Sequence, residues 1–166
     1  MLNEGLFAAR LVLGLLMAAH GAQKLFGWFG GYGLTGTGGF FETLGFRPGR
    51  AFAALAGLSE FVGGLLIAVG LFGPIGPALV LSVMIVAGVT VHWHNGLFAH
   101  GNGIELPLLY AAGAAAMALT GFGSYSLDAL LGVSRVWTPG LEWTALAAGV
   151  AGGLAAAAAR QTPVTA

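Results

Sequence analysis

A single imidazole in an apolar run, His20, is followed three and four residues later by Gln23 and Lys24. On a helix those spacings place all three side chains on one face. Imidazole titrates near neutral pH and can pass a proton or donate to a carbonyl oxygen. Further ionisable residues interrupt apolar stretches at Glu60, preceded by Ser59, at His92 and His94, and at Glu105. Ionisable groups inside apolar spans are costly, and they face a bundle interior or a hydrated cavity rather than lipid. Two readings follow. One is a hydrated polar pocket between helices. The other is a structural ion pair, Lys24 with Glu60 or Glu105, that only keeps buried charge satisfied.

The histidines limit the metal chemistry. His92 and His94 point about 200° apart on a helix, so they would share a metal only on an extended backbone. No carboxylate–histidine pattern lies beside them, and no metal site is expected. A b-type haem needs two axial ligands on different helices at matching depth; His20 and His92 qualify, so haem is disfavoured but stays open. His100, beside Gly101, Asn102 and Gly103, reads as a solvated turn residue. Cysteine is absent, which removes disulfides, Fe–S clusters and thiol nucleophiles. Any redox chemistry must therefore borrow its electron carrier.

The elements that hold these residues are transmembrane helices. Of 166 residues, 57% are hydrophobic and only 7% charged, with formal net charge zero. Mean hydropathy is +0.88. A soluble domain carries about 25% charged residues. The composition excludes a basic nucleic-acid binder and a disordered chain, so the partner is a lipid bilayer and no nucleic acid is expected. Five apolar runs approach the length of about 20 residues that a helix needs to cross. They are Leu6–Phe26, Ala51–Phe72, Ile75–Phe98, Leu106–Phe122 and Leu141–Ala159, the fourth being the shortest. None alternates as a barrel strand would. Glu4 precedes the first run and no basic residue opens it, which argues against a cleaved signal peptide.

Five crossings put the 26–51 loop, the 98–106 loop and the C-terminal tail on one side, here side B, and the N-terminus on side A. His20, Gln23, Lys24, Glu60, His92 and Glu105 then all fall in the B half. Glu60 lies about 13 Å in from side B at 1.5 Å per residue. Trp28 and Trp93 fall near the B interface and Trp137 and Trp143 near the A interface, as an aromatic belt does. Arg47, Arg50 and Arg160 favour side B as cytoplasmic. Pro74 and Pro77 flank a short turn, which makes runs two and three a helical hairpin. Gly14/Ala18, Gly64/Ala68, Ala114/Ala118 and Gly149/Gly153 allow close helix contacts. They support a tight bundle and leave a homo-oligomer open.

The first loop contains a literal G-x-G-x-x-G at Gly31, Gly33 and Gly36. It is no nucleotide fingerprint, because no strand precedes it and no βαβ unit holds it. Residues 40–46 read as a short interfacial helix with Glu42 toward water, and the loop could fold over the B mouth as a lid. On side A, Ser126 is a natural N-cap and Asp128 falls in the first turn after it. The rival reading pairs Asp128 with Arg10, one turn inside the first run.

Several of these segments resemble the DoxX family of small bacterial membrane proteins. They are Arg10, the run His20-Gly21-Ala22-Gln23-Lys24-Leu25-Phe26-Gly27-Trp28-Phe29-Gly30-Gly31, the run Gly57-Leu58-Ser59-Glu60-Phe61-Val62-Gly63-Gly64, Gly101-Asn102-Gly103-Ile104-Glu105, and Gly121-Phe122-Gly123-Ser124-Tyr125-Ser126-Leu127-Asp128. The resemblance implies an all-α integral membrane fold. A four-helix core would cover 1–132, and 133–166 would add a linker, a fifth C-terminal transmembrane helix docked outside and a short polar tail. It implies a bacterial inner membrane location. It also implies His20, Gln23, Lys24, Glu60 and Glu105 as a shared polar site, and Arg10 and Asp128 as a shared structural pair.

Members of that family are assigned to quinone-linked respiratory chemistry and redox-stress complexes, and distant relatives to membrane chaperones or cargo receptors. The leading expectation is a quinone-binding membrane subunit of an oxidoreductase. Catalysis would rest on His20 and Glu60, cofactor binding on His20, Gln23, Lys24, Glu60, His92 and Glu105, and electrons would come from a redox protein partner. Whether the chain is an enzyme in its own right stays open. The alternatives are a scaffold or chaperone without catalysis, and a small-solute carrier, which the lack of an inverted repeat disfavours.

Overall fold

A computed structural model describes residues 1–161; the last part of the expected polar tail, 162–166, lies outside the described residues. The described residues are helical and contain no strand. The helices are α1 (Leu2–Phe26), α2 (Gly33–Thr43), α3 (Gly49–Val69), α4 (Ile75–Ala87), α5 (Glu105–Thr120), α6 (Leu127–Leu130) and α7 (Pro139–Ala158). From the end of α4 the chain runs on through a π-helical turn, Gly88–His92, and a 3-10 turn, Trp93–Asn95.

Four stretches are long and apolar enough to cross a membrane: α1, α3, Ile75–Asn95 and α7. Among them α7 is the least apolar. The expected fourth span is the one that falls short. It forms α5, only 16 residues long, against the roughly 20 that a bilayer requires. Its ends explain the shortfall: Gly121 takes φ 70° and stops the helix, and Ile104 bonds back to Gly96 before it starts.

Direction alternates along the chain. At one end Asn3 Oδ1 accepts from Ser124 N at 3.0 Å, which joins the start of α1 to the segment after α5. The Trp137 ring covers Gly73 in the α3–α4 turn at the same end. At the other end Gln161 N donates to Gly45 O at 2.8 Å, so α7 finishes beside the α2–α3 turn. These contacts match the A and B ends expected from five antiparallel runs.

The closest crossing joins α1 and α3. A Cβ on Gly14 would lie 2.5 Å from Ala68 N and Gly64 O, a separation no side chain tolerates, so only glycine permits this approach. Gly21 meets Gly57 and Phe61 in the same way about two turns further on. Gly149 and Gly153 likewise bring α7 against Ala78 and Ser82 of α4. Thus all four small-residue pairs expected from sequence are buried within the chain, Ala114 and Ala118 included. Met17, Ala53, Ile67, Val80 and Ala114 close the interior, while Val12, Leu16, Leu58, Val62, Leu109 and Leu154 face outward. Outward leucines cost nothing where the solvent is hydrocarbon.

Residues 33–43 form the helix expected over 40–46, but it starts earlier, and it is anchored rather than floating. Phe41 and Phe46 are buried against Phe52 at the start of α3.

Candidate functional site

The α1–α3 crossing sets the site. Because Gly21 and Gly57 bring the two antiparallel backbones together, Lys24 and Glu60 meet at this crossing, Lys24 beside Gly57 and Glu60 next to the Phe61 that meets Gly21. Lys24 Nζ lies 2.8 Å from Glu60 Oε1 and 2.6 Å from Oε2, so one ammonium bridges both carboxylate oxygens. The Glu60 side chain is 3% exposed and that of Lys24 26%. Of the two partners open to Lys24 from sequence, the fold selects Glu60.

The ion pair forms part of the wall of a cavity of about 210 Å³. His20, His92, Tyr110 and Pro107 complete its polar and α5 sides, and Asn102 and Gly103 close its B end. A second cavity of about 210 Å³ shares Lys24, Glu60, Ala87 and His92 with the first, and continues between Phe40, Phe41, Phe46, Val83 and Val86. A third, open cleft of about 610 Å³ lies between the end of α1 and α2, with Gln23, Lys24, Tyr32 and Phe40 on its walls. Lys24 borders all three. The two cavities share the Lys24–Glu60 pair, with a polar chamber of His20, His92 and Asn102 on one side of it and a groove with aromatic and aliphatic walls on the other, the usual make-up of a small-molecule site.

Around the chamber each side chain has an identifiable hold. His20 Nδ1 lies 3.2 Å from Gln23 Oε1, and Gln23 Nε2 donates to Phe29 O at 3.2 Å. The His20 ring meets Tyr110 edge to face, with centroids 5.8 Å apart. His92 Nδ1 lies 2.8 Å from Asn102 O. The π turn at Gly88–His92 sets the direction of His92, since one extra residue per turn rotates the following side chains relative to an α-helix. His94 falls in the next 3-10 turn and is exposed.

Two expected members are placed differently. Glu105 does not line the chamber; its Oε2 accepts from Ala99 N at 2.8 Å. It therefore pins the 98–104 loop to the first turn of α5. Gln23 faces the open cleft and reaches the chamber only through His20. Ser59 points away from Glu60, into a groove with Phe52 and Ser82.

At the A end Arg10 and Asp128 form no ion pair with each other. Arg10 donates to Ala68 O and to Tyr125 O. Asp128 accepts from Phe72 N at 2.8 Å and Gly73 N at 2.7 Å. The expected direct pair is thus replaced by two grips on one corner. The end of α3 and the turn after it expose unpaired carbonyls and amides, which attract the cation and the anion separately. Ser126 caps α6 as expected, its Oγ accepting from Ala129 N at 3.2 Å.

Sequence reasoning missed Tyr110, the backbone carbonyls of Phe29 and Asn102, and the aromatic wall from α2. Tyr110 had a signal, as the only hydroxyl-bearing aromatic in the fourth apolar run. The carbonyls had none, since every residue carries one.

With the geometry in place, the comparisons with known proteins give one match. The sequence model of the DoxX family matches residues 5–93, which carry Arg10, His20, Gln23, Lys24, Glu60 and His92. The chain belongs to the DoxX family and is a multi-pass membrane protein. No curated protein and no solved structure matches it.

Proposed function

We propose that this DoxX-family chain is the membrane subunit of a quinone-linked redox system in a bacterial inner membrane, crossing five times, with a quinone head in the polar chamber and its tail in the apolar groove. The observation that carries the reading is the Lys24–Glu60 pair at the junction of the two. A bound quinone supplies a carrier that takes up or releases two electrons and two protons. The residues present suit it. Lys24 has three N–H donors and Glu60 engages two, which leaves one for a head oxygen. His20 can hold or pass a proton at a ring nitrogen. Phe40, Phe41, Val83 and Val86 exclude water along the groove. With no cysteine in the sequence, the chain takes its electrons from a redox protein partner.

The test is lipid extraction of the purified full-length chain, with mass spectrometry for quinone and a visible spectrum alongside. About one quinone per chain is expected, with no turnover when a soluble donor such as thiosulfate is supplied alone. A Soret band would replace quinone with haem. Neither quinone nor haem would leave the satisfied ion pair as a prop in a scaffold or chaperone.

A further inference from the structure

The chamber's two histidines are both held at Nδ1 by groups that can only accept. Asn102 O is a backbone carbonyl 2.8 Å from His92 Nδ1, so the proton of a neutral His92 ring is on Nδ1. His20 reaches the same state through one intermediate. Phe29 O is also a carbonyl and must receive the Gln23 NH₂. That fixes the amide the other way round at its far end, where Gln23 presents Oε1 to His20 Nδ1. Oε1 accepts, so His20 Nδ1 carries the proton. The carbonyl that starts this chain is turned by an uncommon backbone: Phe29 takes φ 53° and ψ 35°, a left-handed conformation that a bulky residue adopts only when its surroundings impose it.

In each neutral ring Nε2 is then a lone pair. His20 Nε2 makes no hydrogen bond among the described residues and is not sealed by packing, and His20 and His92 come from different helices to line one chamber. We infer that the resting chamber offers two acceptor nitrogens, His20 Nε2 and His92 Nε2, beside a single Lys24 N–H that an oxygen of either redox form can accept, and therefore selects a head group that brings O–H donors: a hydroquinone in preference to the quinone, whose carbonyl oxygens would oppose the two lone pairs. Gln23 is a positioning residue in this scheme. It touches no ligand in the chamber and acts by fixing the tautomer of His20.

This inference rests on the quinone-site reading for its ligand, whereas the tautomers do not. The experiment uses the full chain labelled with ¹⁵N-histidine in lipid nanodiscs at pH 8, with rings assigned through His20→Phe and His92→Phe. Both rings are expected to show protonated Nδ1 and bare Nε2 shifts; protonated Nε2 on either ring overturns the inference. Gln23→Leu should mix the tautomers of His20 and leave those of His92 unchanged. An unmoved His20 would remove Gln23 from its role. Anaerobic titration with decylubiquinol and decylubiquinone should show at least tenfold tighter binding of the quinol, with the preference reduced in Gln23→Leu. Tighter binding of the quinone overturns the selectivity while leaving the quinone site intact. Binding of neither form, or a stoichiometric metal or haem held by the two rings, overturns both.

Discussion

The two ends of the bundle each draw a cation and an anion into the helix packing, with Lys24 alone of the four partly exposed, and they use them in opposite ways. At the A end Arg10 and Asp128 are 2% and 3% exposed. Both are engaged by backbone groups of the α3–α4 corner and its neighbour. At the B end Lys24 and Glu60 engage each other, beside a chamber where ring nitrogens stay open. Burial of charge is common to both and marks neither as functional. What separates them is that the A-end charges are taken up by backbone groups of the chain's own helix ends, with Arg10 Nε the one buried atom of those two side chains left without a partner among the described residues. The A corner is a clasp, and the B chamber has donors and acceptors left over.

The largest effect should come from breaking the B-end pair. Glu60→Ala leaves the Lys24 charge without its partner, which costs about 3–5 kcal/mol in water-soluble proteins. Poor expression is expected, with partial rescue by adding Lys24→Met, both measured as monodisperse yield in detergent. Equal loss in the single and double variants would show that the two residues are not coupled.

A smaller effect is expected at the clasp. Asp128→Ala orphans the amides of Phe72 and Gly73, at about 1–3 kcal/mol for a buried donor left unmade. Thermal stability should fall, yet quinone content per folded chain should stay unchanged. A loss of bound ligand in well-folded Asp128→Ala would erase the distinction between the two ends.

The smallest stability effect and the most specific functional one belong to His20→Phe. The ring keeps its size and its edge contact with Tyr110, but it can neither donate nor accept. Normal yield is expected, with ligand binding or activity of the complete complex down at least tenfold. That is about 1.4 kcal/mol, the scale of one good hydrogen bond. Full binding would remove His20 from the site. Unfolding in detergent would make it a prop like those at the A end.

Much of this architecture was legible from residues alone. The apolar runs, the Pro74 turn and the clustering of His20, Lys24 and Glu60 at one depth follow from hydropathy and from the fixed rise of a helix. So does the cap at Ser126. These are properties of local sequence, and helix geometry turns spacing into position without reference to the rest of the chain.

Other features needed the packed structure, because they depend on which backbone groups other elements leave unpaired. Glu105 turned to the Ala99 amide, and Arg10 and Asp128 gripped one corner rather than each other, because a helix end offers carbonyls and amides that no side-chain pattern reveals. Lys24 could have met Glu60 or Glu105. The glycine crossing of α1 and α3 decided it, since it brings both carboxylate oxygens of Glu60 within reach of the Lys24 ammonium. The proton positions on His20 and His92 lie furthest from the sequence. They are set by the carbonyls of Phe29 and Asn102, groups common to every residue, which gain a chemical role only through the place the fold gives them.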